Sequence, residues 1–207
     1  MNILLLHGQG RTTHAMRLLG FRLGRLGHAV EYFRYYTRTE KFAEIAERLV
    51  AVIRTLPHDQ PYALIGHSMG GLLARASLPA LEDQLPCHLI LLASPNQPPR
   101  MAPIAKRNLL YRYLTTDCGE KVLSPDFYQG LPVPTVPTTI IAGSGGPRVS
   151  WLPYGDEPND GVMSVQDTLL GSGVEVIDVP SIHTFIMNSR QTLQYIQRVL
   201  EESITRT

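Results

Sequence analysis

The chain has 207 residues, 43% of them hydrophobic and 18% charged, a globular composition that excludes a disordered chain. At this length a single domain, residues 1–207, buries roughly 70% of the surface its unfolded chain exposes and needs no disulfide or metal staple. Nineteen Lys and Arg against eighteen Asp and Glu give a net charge of +1, which excludes nucleic acid as the expected partner, because phosphate binding calls for a basic excess.

Short apolar runs alternate with longer amphipathic ones, the pattern of βα units around a parallel sheet. Ile3–Leu6 reads as a buried strand. Thr13–Leu26 reads as a helix, with Met16, Leu19, Leu23 and Leu26 at three- and four-residue steps and Gly27 as its stop. Ala29–Tyr35 is a second strand. Thr39–Leu56 is a helix ended by Pro57, and Thr37 and Glu40 stand at capping-box spacing before it. Tyr62–Gly66 is a third strand and Gly70–Leu78 the helix after it. His88–Ala93, Thr138–Ala142 and Val174–Val179 complete about six strands, and the last helix covers Ser189–Glu202. The expected fold is α/β, with a predominantly parallel sheet and helices on both faces. Between Pro95 and Pro137 the pattern breaks into a proline-rich stretch with one helix around Ile104–Leu114. That is too long for an ordinary connection. It reads as a short cap-like insertion, about 96–136, over the strand C-termini, where ligands of such sheets bind.

No apolar run approaches the roughly 18 residues of a membrane span. Met1 and Asn2 carry no basic side chain and Ile3–Leu6 is short, so the N-terminus does not read as a signal peptide. Two cysteines, Cys87 and Cys118, are too few for a disulfide framework and read as free thiols. The expected location is cytoplasmic.

The strongest chemical signal is Gly66-His67-Ser68-Met69-Gly70-Gly71, which follows an apolar strand and opens a helix. A Gly-x-Ser-x-Gly pattern in that context marks a nucleophile held on a sharp turn. Small neighbours leave room for a strained backbone at Ser68, and the helix N-terminus favours developing negative charge. The bland alternative is a phosphate cradle. No Lys follows the glycines, as a phosphate-binding loop needs, and the dinucleotide glycine spacing is absent.

The chain resembles the α/β-hydrolase superfamily, and within it small bacterial serine esterases and lipases. The resemblance rests on Leu5–Gly10, Gly66–Gly71, Ala93–Gln97, Ile140–Ser144, Pro158–Val162 and Ser181–Phe185, in this order and spacing. It implies that His7-Gly8-Gln9-Gly10 is the oxyanion loop, with the backbone amides of Gln9 and Met69 as donors. His7 then holds the loop by hydrogen bonding. Pro98-Pro99 departs from the small residue pair that relatives carry after Asn-Gln, which alters the shape expected of the acyl pocket.

A serine nucleophile needs a base. Of seven histidines, His28, His58, His88 and His14 read as turn, strand or surface residues, and His67 points elsewhere on the tight turn. His183 matches the position of the family's base. Its carboxylate partner is sought among Asp156, Glu157, Asp160, Asp167, Glu175 and Asp178. Asp160, in Asn159-Asp160-Gly161, looks like the acid-bearing turn of bacterial lipases, with Asp156 in reserve. The order Ser68, Asp160, His183 is that of α/β-hydrolases. This segment serves as a calcium loop in some relatives, but nothing here matches a calcium motif; neither a metal nor a cofactor is expected.

The expected partner is a small-molecule ester or acyl substrate, handled by a monomer or homodimer. Ile104, Leu109, Leu110, Tyr111, Tyr113 and Leu114 make the insertion apolar and suit an acyl chain. Arg100, Lys106, Arg107 and Arg112 could favour an anionic group on it. His7, Gly8, His67, Leu110, Tyr113 and Trp151 are the substrate-pocket candidates. The expected activity is hydrolysis of short- to medium-chain carboxylic esters. Thioesterase or acyltransferase chemistry uses the same triad. A non-catalytic receptor on a hydrolase fold and a peptidase are weaker alternatives.

Overall fold

The structure, a computed structural model, describes residues 1–58, 60–171 and 173–205, with backbone alone at 110–115. Six strands form one parallel sheet in the order β2-β1-β3-β4-β5-β6. They are β1 (Asn2–Leu6), β2 (Ala29–Phe33), β3 (Tyr62–His67), β4 (His88–Leu92), β5 (Thr138–Gly143) and β6 (Glu175–Val179). The helices are α1 (Arg17–Arg25), α2 (Phe42–Ile53), α3 (Met69–Ser77), α4 (Ala102–Arg107), α5 (Leu109–Val122), α6 (Pro125–Gly130) and α7 (Arg190–Thr205).

The strands are apolar on both faces because helices cover both. Alternate residues divide between two cores. Leu4 and Leu6 of β1, Leu64 of β3 and Leu89 and Leu91 of β4 pack with α2 and α3. Ile3 and Leu5, Ala63 and Ile65, and Ile90 and Leu92 pack on the other face with α1 and α7. A one-residue slip in any central strand would send each side chain into the opposite core. The edge strands β2 and β6 are largely exposed, as their mixed composition requires.

Three boundaries differ from the sequence expectation. The first helix begins with a 3-10 turn at Thr13–Met16 before α1. Helix α2 starts at Phe42, not Thr39, because a distant carboxylate caps it: the Phe42 amide donates to Asp117 Oδ2 of α5 at 2.8 Å. Thr37 instead accepts from the Gly10 amide and Glu40 from the Tyr36 amide. The helix expected at Ile104–Leu114 is two, because Asn108 takes an extended backbone between α4 and α5. Helix α5 also contains a non-helical residue, Thr116. Among the described residues no helix is long and apolar enough to cross a membrane.

Two glycines separate backbone demand from helix propensity. A Cβ at Gly66 would lie 2.4 Å from the Gly71 nitrogen, whereas one at Gly24, inside α1, meets nothing within 4 Å. Gly24→Ala is expected to raise stability by about 0.5–1 kcal/mol. Gly66→Ala is expected to lower it by more than about 3 kcal/mol, since backbone must move. Urea denaturation of the two variants checks both; equal shifts would refute the steric argument.

Candidate active site

Ser68 is the single residue between β3 and α3, and its backbone has φ 53° and ψ −122°. A non-glycine residue in such a conformation costs on the order of 1–3 kcal/mol and persists only where its surroundings enforce it. Here they do. The Ser68 amide continues the sheet by donating to the Leu92 carbonyl at 2.9 Å. The Ser68 carbonyl accepts from the Gly71 amide at 3.0 Å and from Ser94 Oγ at 2.8 Å. Gly70 passes so close to β1 that a Cβ there would lie 2.6 Å from the Leu6 carbonyl oxygen.

Asp160 and His183 lie in the loops after β5 and β6, at the same sheet edge. His183 Nδ1 donates to Asp160 Oδ2 at 2.7 Å, and the Asp160 side chain is 1% exposed. The other oxygen, Oδ1, accepts from the amides of Val162 and Met163, each at 2.9 Å. Gly161 makes this turn with φ 91°. The His183 amide donates to the Asp160 carbonyl at 2.9 Å. Asp160 and His183 are thus joined through both side chain and backbone. Their bond uses Nδ1 and leaves Nε2 as the ring's proton acceptor. Ser68 and His183 line one cavity, but among the described residues no hydrogen bond joins their side chains. Such bonds are often long before substrate binds.

His67 is buried, and its Nε2 donates to the His183 carbonyl at 3.0 Å. Its ring centroid is 4.8 Å from that of His183. Burial, reinforced by the neighbouring His183 charge, holds its pKa well below 6.5, so it stays neutral. Of the remaining pocket candidates, Gly8 borders Ser68: a Cβ there would lie 3.2 Å from the Ser68 Cβ. Gln9 and Gly10 also lie on the cavity wall, and Met69 opens α3. His7 is buried and does not line the cavity, which corrects its reading as a substrate contact and fits its reading as a residue that holds the loop. It stacks on Tyr35 at 3.9 Å and bonds the Gly8 carbonyl through Nδ1, while Tyr35 donates to the His7 carbonyl. Burial lowers its pKa too.

The cavity has a volume of about 380 Å³ and is walled by Pro95, Pro99, Met101, Ala102 and Ala105 at the start of the insertion, with Val122, Leu123, Val162 and Met163. Trp151 does not line it; the residue stands in a turn and is 78% exposed. The side chains of Leu110 and Tyr113 lie outside the described residues. A larger recess, about 540 Å³, opens at the opposite sheet edge near Tyr62 and His88 and touches none of these residues.

Three supports were not foreseen. Ser94 holds the strained turn. Arg75 of α3, buried, donates to Asn96 Oδ1 at 3.0 Å and to the Pro132 carbonyl, so it grips both ends of the insertion. Burial brings its pKa down to about 10. Arg100 pairs with Glu157 and, at 3.4 Å, with Asp167, tying the insertion to the segment that carries Asp160. Single residues carry no pairing signal at separations of 21 to 67 positions, so periodicity could not have found these contacts.

Comparison with known proteins bears on the fold. Residues 24–111 match the family model described as a thioesterase domain. No curated protein matches the sequence. Among solved structures, a metagenomic carboxyl esterase superposes with a TM-score of 0.70 at 16% identity, covering 98% of this chain and 76% of its own. The thioesterase RedJ from the prodiginine pathway of Streptomyces coelicolor gives 0.64 at 18%, covering 96% and 84%. Tomato methylketone synthase I, complexed with 2-tridecanone, gives 0.66 at 13%, covering 98% of each chain. The six-stranded parallel sheet with its helices is the α/β-hydrolase fold.

His67 gives this site a pH signature. Its folded pKa lies below its ordinary 6.5, so its neutral form supports the fold above about pH 6.5. That support is lost as pH falls, because the unfolded chain takes the proton that the folded one refuses. One such proton is worth about 1.4 kcal/mol per pH unit. The stability gap between wild type and His67→Gln is expected to shrink between pH 7 and 5, read from urea midpoints. A constant gap would show that the imidazole titrates normally.

Proposed function

We propose that this chain, an α/β-hydrolase by fold, cleaves carboxylic esters of short to medium acyl chains through an acyl-enzyme on Ser68. The observation that carries this is the meeting, at one apolar-walled cavity, of a serine on a positive-φ turn and a histidine bonded to a buried carboxylate.

In the proposed reaction, Ser68 Oγ attacks the ester carbonyl carbon while His183 Nε2 takes its proton. Asp160 holds Nδ1–H and stabilises the imidazolium. The carbonyl π electrons move onto oxygen, which the amides of Gln9 and Met69 face; one such donor contributes on the order of 10²–10³ in rate. Collapse breaks the bond to the alcohol oxygen, and His183 returns the proton to that leaving group. Water then attacks the acyl-serine by the same sequence, releasing the acid and restoring Ser68. His67 remains neutral beside His183 throughout, so it adds no charge that would oppose the imidazolium.

A second reading, acyl thioester cleavage, is favoured by the thioesterase-domain match over residues 24–111. It needs the same groups and only a sulfur leaving atom; acyl transfer replaces water by an alcohol or amine. The free thiols Cys87 and Cys118 fit a reducing, cytoplasmic setting.

The test is hydrolysis of p-nitrophenyl esters from acetyl to palmitoyl, beside S-acyl thioesters of matched length. Turnover is expected to peak at an intermediate length. Ser68→Ala should abolish it, and Asp160→Asn should lower kcat on the order of 10⁴-fold. Undiminished turnover in Ser68→Ala, or none by wild type on either series, would overturn the proposal.

A further inference from the structure

The two ends of the Ser68 cavity differ in chemistry. Toward the insertion its wall is apolar, formed by Pro99, Met101, Ala102, Ala105, Val122 and Leu123. At the other end it continues past Gly10 and Arg11, which it shares with a second recess of about 240 Å³ lined also by Tyr36, Thr37 and Arg38. This second recess is lined by two arginines, a tyrosine and a threonine, with none of the Leu, Val, Met or Pro side chains of the first.

Arg11 reaches the loop that carries His183. Its Nη2 donates to Thr184 Oγ1 at 3.0 Å, on the residue after His183. The side chain is exposed, and among the described residues no carboxylate lies within ion-pair distance of it. Arg100, one of the cations that the sequence suggested for an anionic substrate, is by contrast already paired with Glu157 and Asp167. Arg75 is buried against Asn96 and Pro132.

Direction follows from the proton. In acyl transfer the base that takes the serine proton gives it to the leaving group, so the leaving group departs on the base's side. Arg11 is bonded to the residue beside the base. The acyl chain has the apolar end, and the leaving group has the arginine end.

We propose that Arg11 determines specificity for substrates whose alcohol or thiol portion carries an anionic group, a carboxylate or a phosphate, received in the Tyr36–Arg38 recess. The proposal rests on Ser68 and His183 acting as assigned above. An arginine offers parallel N–H donors that match either anion in a way a point charge does not.

The test compares two esters of one acyl chain, the 4-nitrophenyl ester and its 3-carboxy-4-nitrophenyl analogue, on wild type, Arg11→Gln and Arg11→Lys. Intrinsic reactivity of the two leaving groups cancels in the ratio of kcat/KM values across variants. Arg11→Gln should lower the carboxylated-to-neutral ratio roughly five- to tenfold. Arg11→Lys should restore part of it, and added salt should compress the wild-type ratio. A loss equal for both esters would overturn the proposal and leave Arg11 as a brace of the base loop. Binding of the two free phenols to Ser68→Ala, by calorimetry, reads recognition without turnover. Tighter binding of the carboxylated phenol that vanishes in Ser68→Ala/Arg11→Gln supports the proposal even if neither ester is cleaved, an outcome that would count against the Ser68 reading alone. Equal binding of both phenols, with equal ester losses, refutes it.

Discussion

The backbone of one residue, Ser68, sets the terms for its surroundings. Its positive φ turns the chain from β3 into α3 with no intervening loop. A turn that tight brings helix backbone against strand backbone, so Gly66, Gly70 and Gly71 have no room for a side chain. The strain is held by bonds that a relaxed turn would not need, from Ser94 and from the β4 carbonyl of Leu92. What the strain achieves is access: Ser68 is partly exposed at the cavity, whereas His67, which also borders it, and Met69 are buried.

The same turn reaches His183 through its preceding residue, His67. His183 is gripped at both ends of its own backbone, its amide by the Asp160 carbonyl and its carbonyl by His67. The ring is fixed at Nδ1 by the carboxylate. A residue 115 positions from Ser68 therefore has few ways to drift from it. The geometry tolerates an open Ser68–His183 contact because the supports, not that contact, hold the two groups in register. Burial keeps His67 neutral, so it donates to the His183 carbonyl without bringing a charge to that ring.

What was legible in the sequence had short-range causes. Short apolar runs gave the six strands and a 3.6-residue period the main helices within a few residues, and the parallel sheet followed from their alternation. The turn at Ser68 was visible because backbone crowding leaves glycines behind. Asp160 and His183 were singled out by resemblance as much as by physics, since an Asn-Asp-Gly turn also occurs with no chemical role. The illegible parts were long-range pairings. The cap of α2 came from Asp117, on another helix, and displaced the expected Thr37–Glu40 cap. Asn108 split one apparent helix because backbone angles at a single residue outweigh a continuous apolar pattern. His7 looked like a pocket residue next to glycines, yet the stack on Tyr35, 28 positions away, decides where its ring lies.

The insertion is bound into this arrangement. Arg75 clamps its two ends to the helix that follows Ser68, and Arg100 ties it to the segment that carries Asp160. Removing the Asn96 acceptor would leave the buried Arg75 guanidinium short of a partner, a cost that keeps this end of the 96–136 segment seated. The apolar wall is therefore anchored to the same elements that hold the serine and the carboxylate. The wall of the cavity and the Ser68 turn therefore share their supports, so a change at Arg75 or Arg100 bears on both.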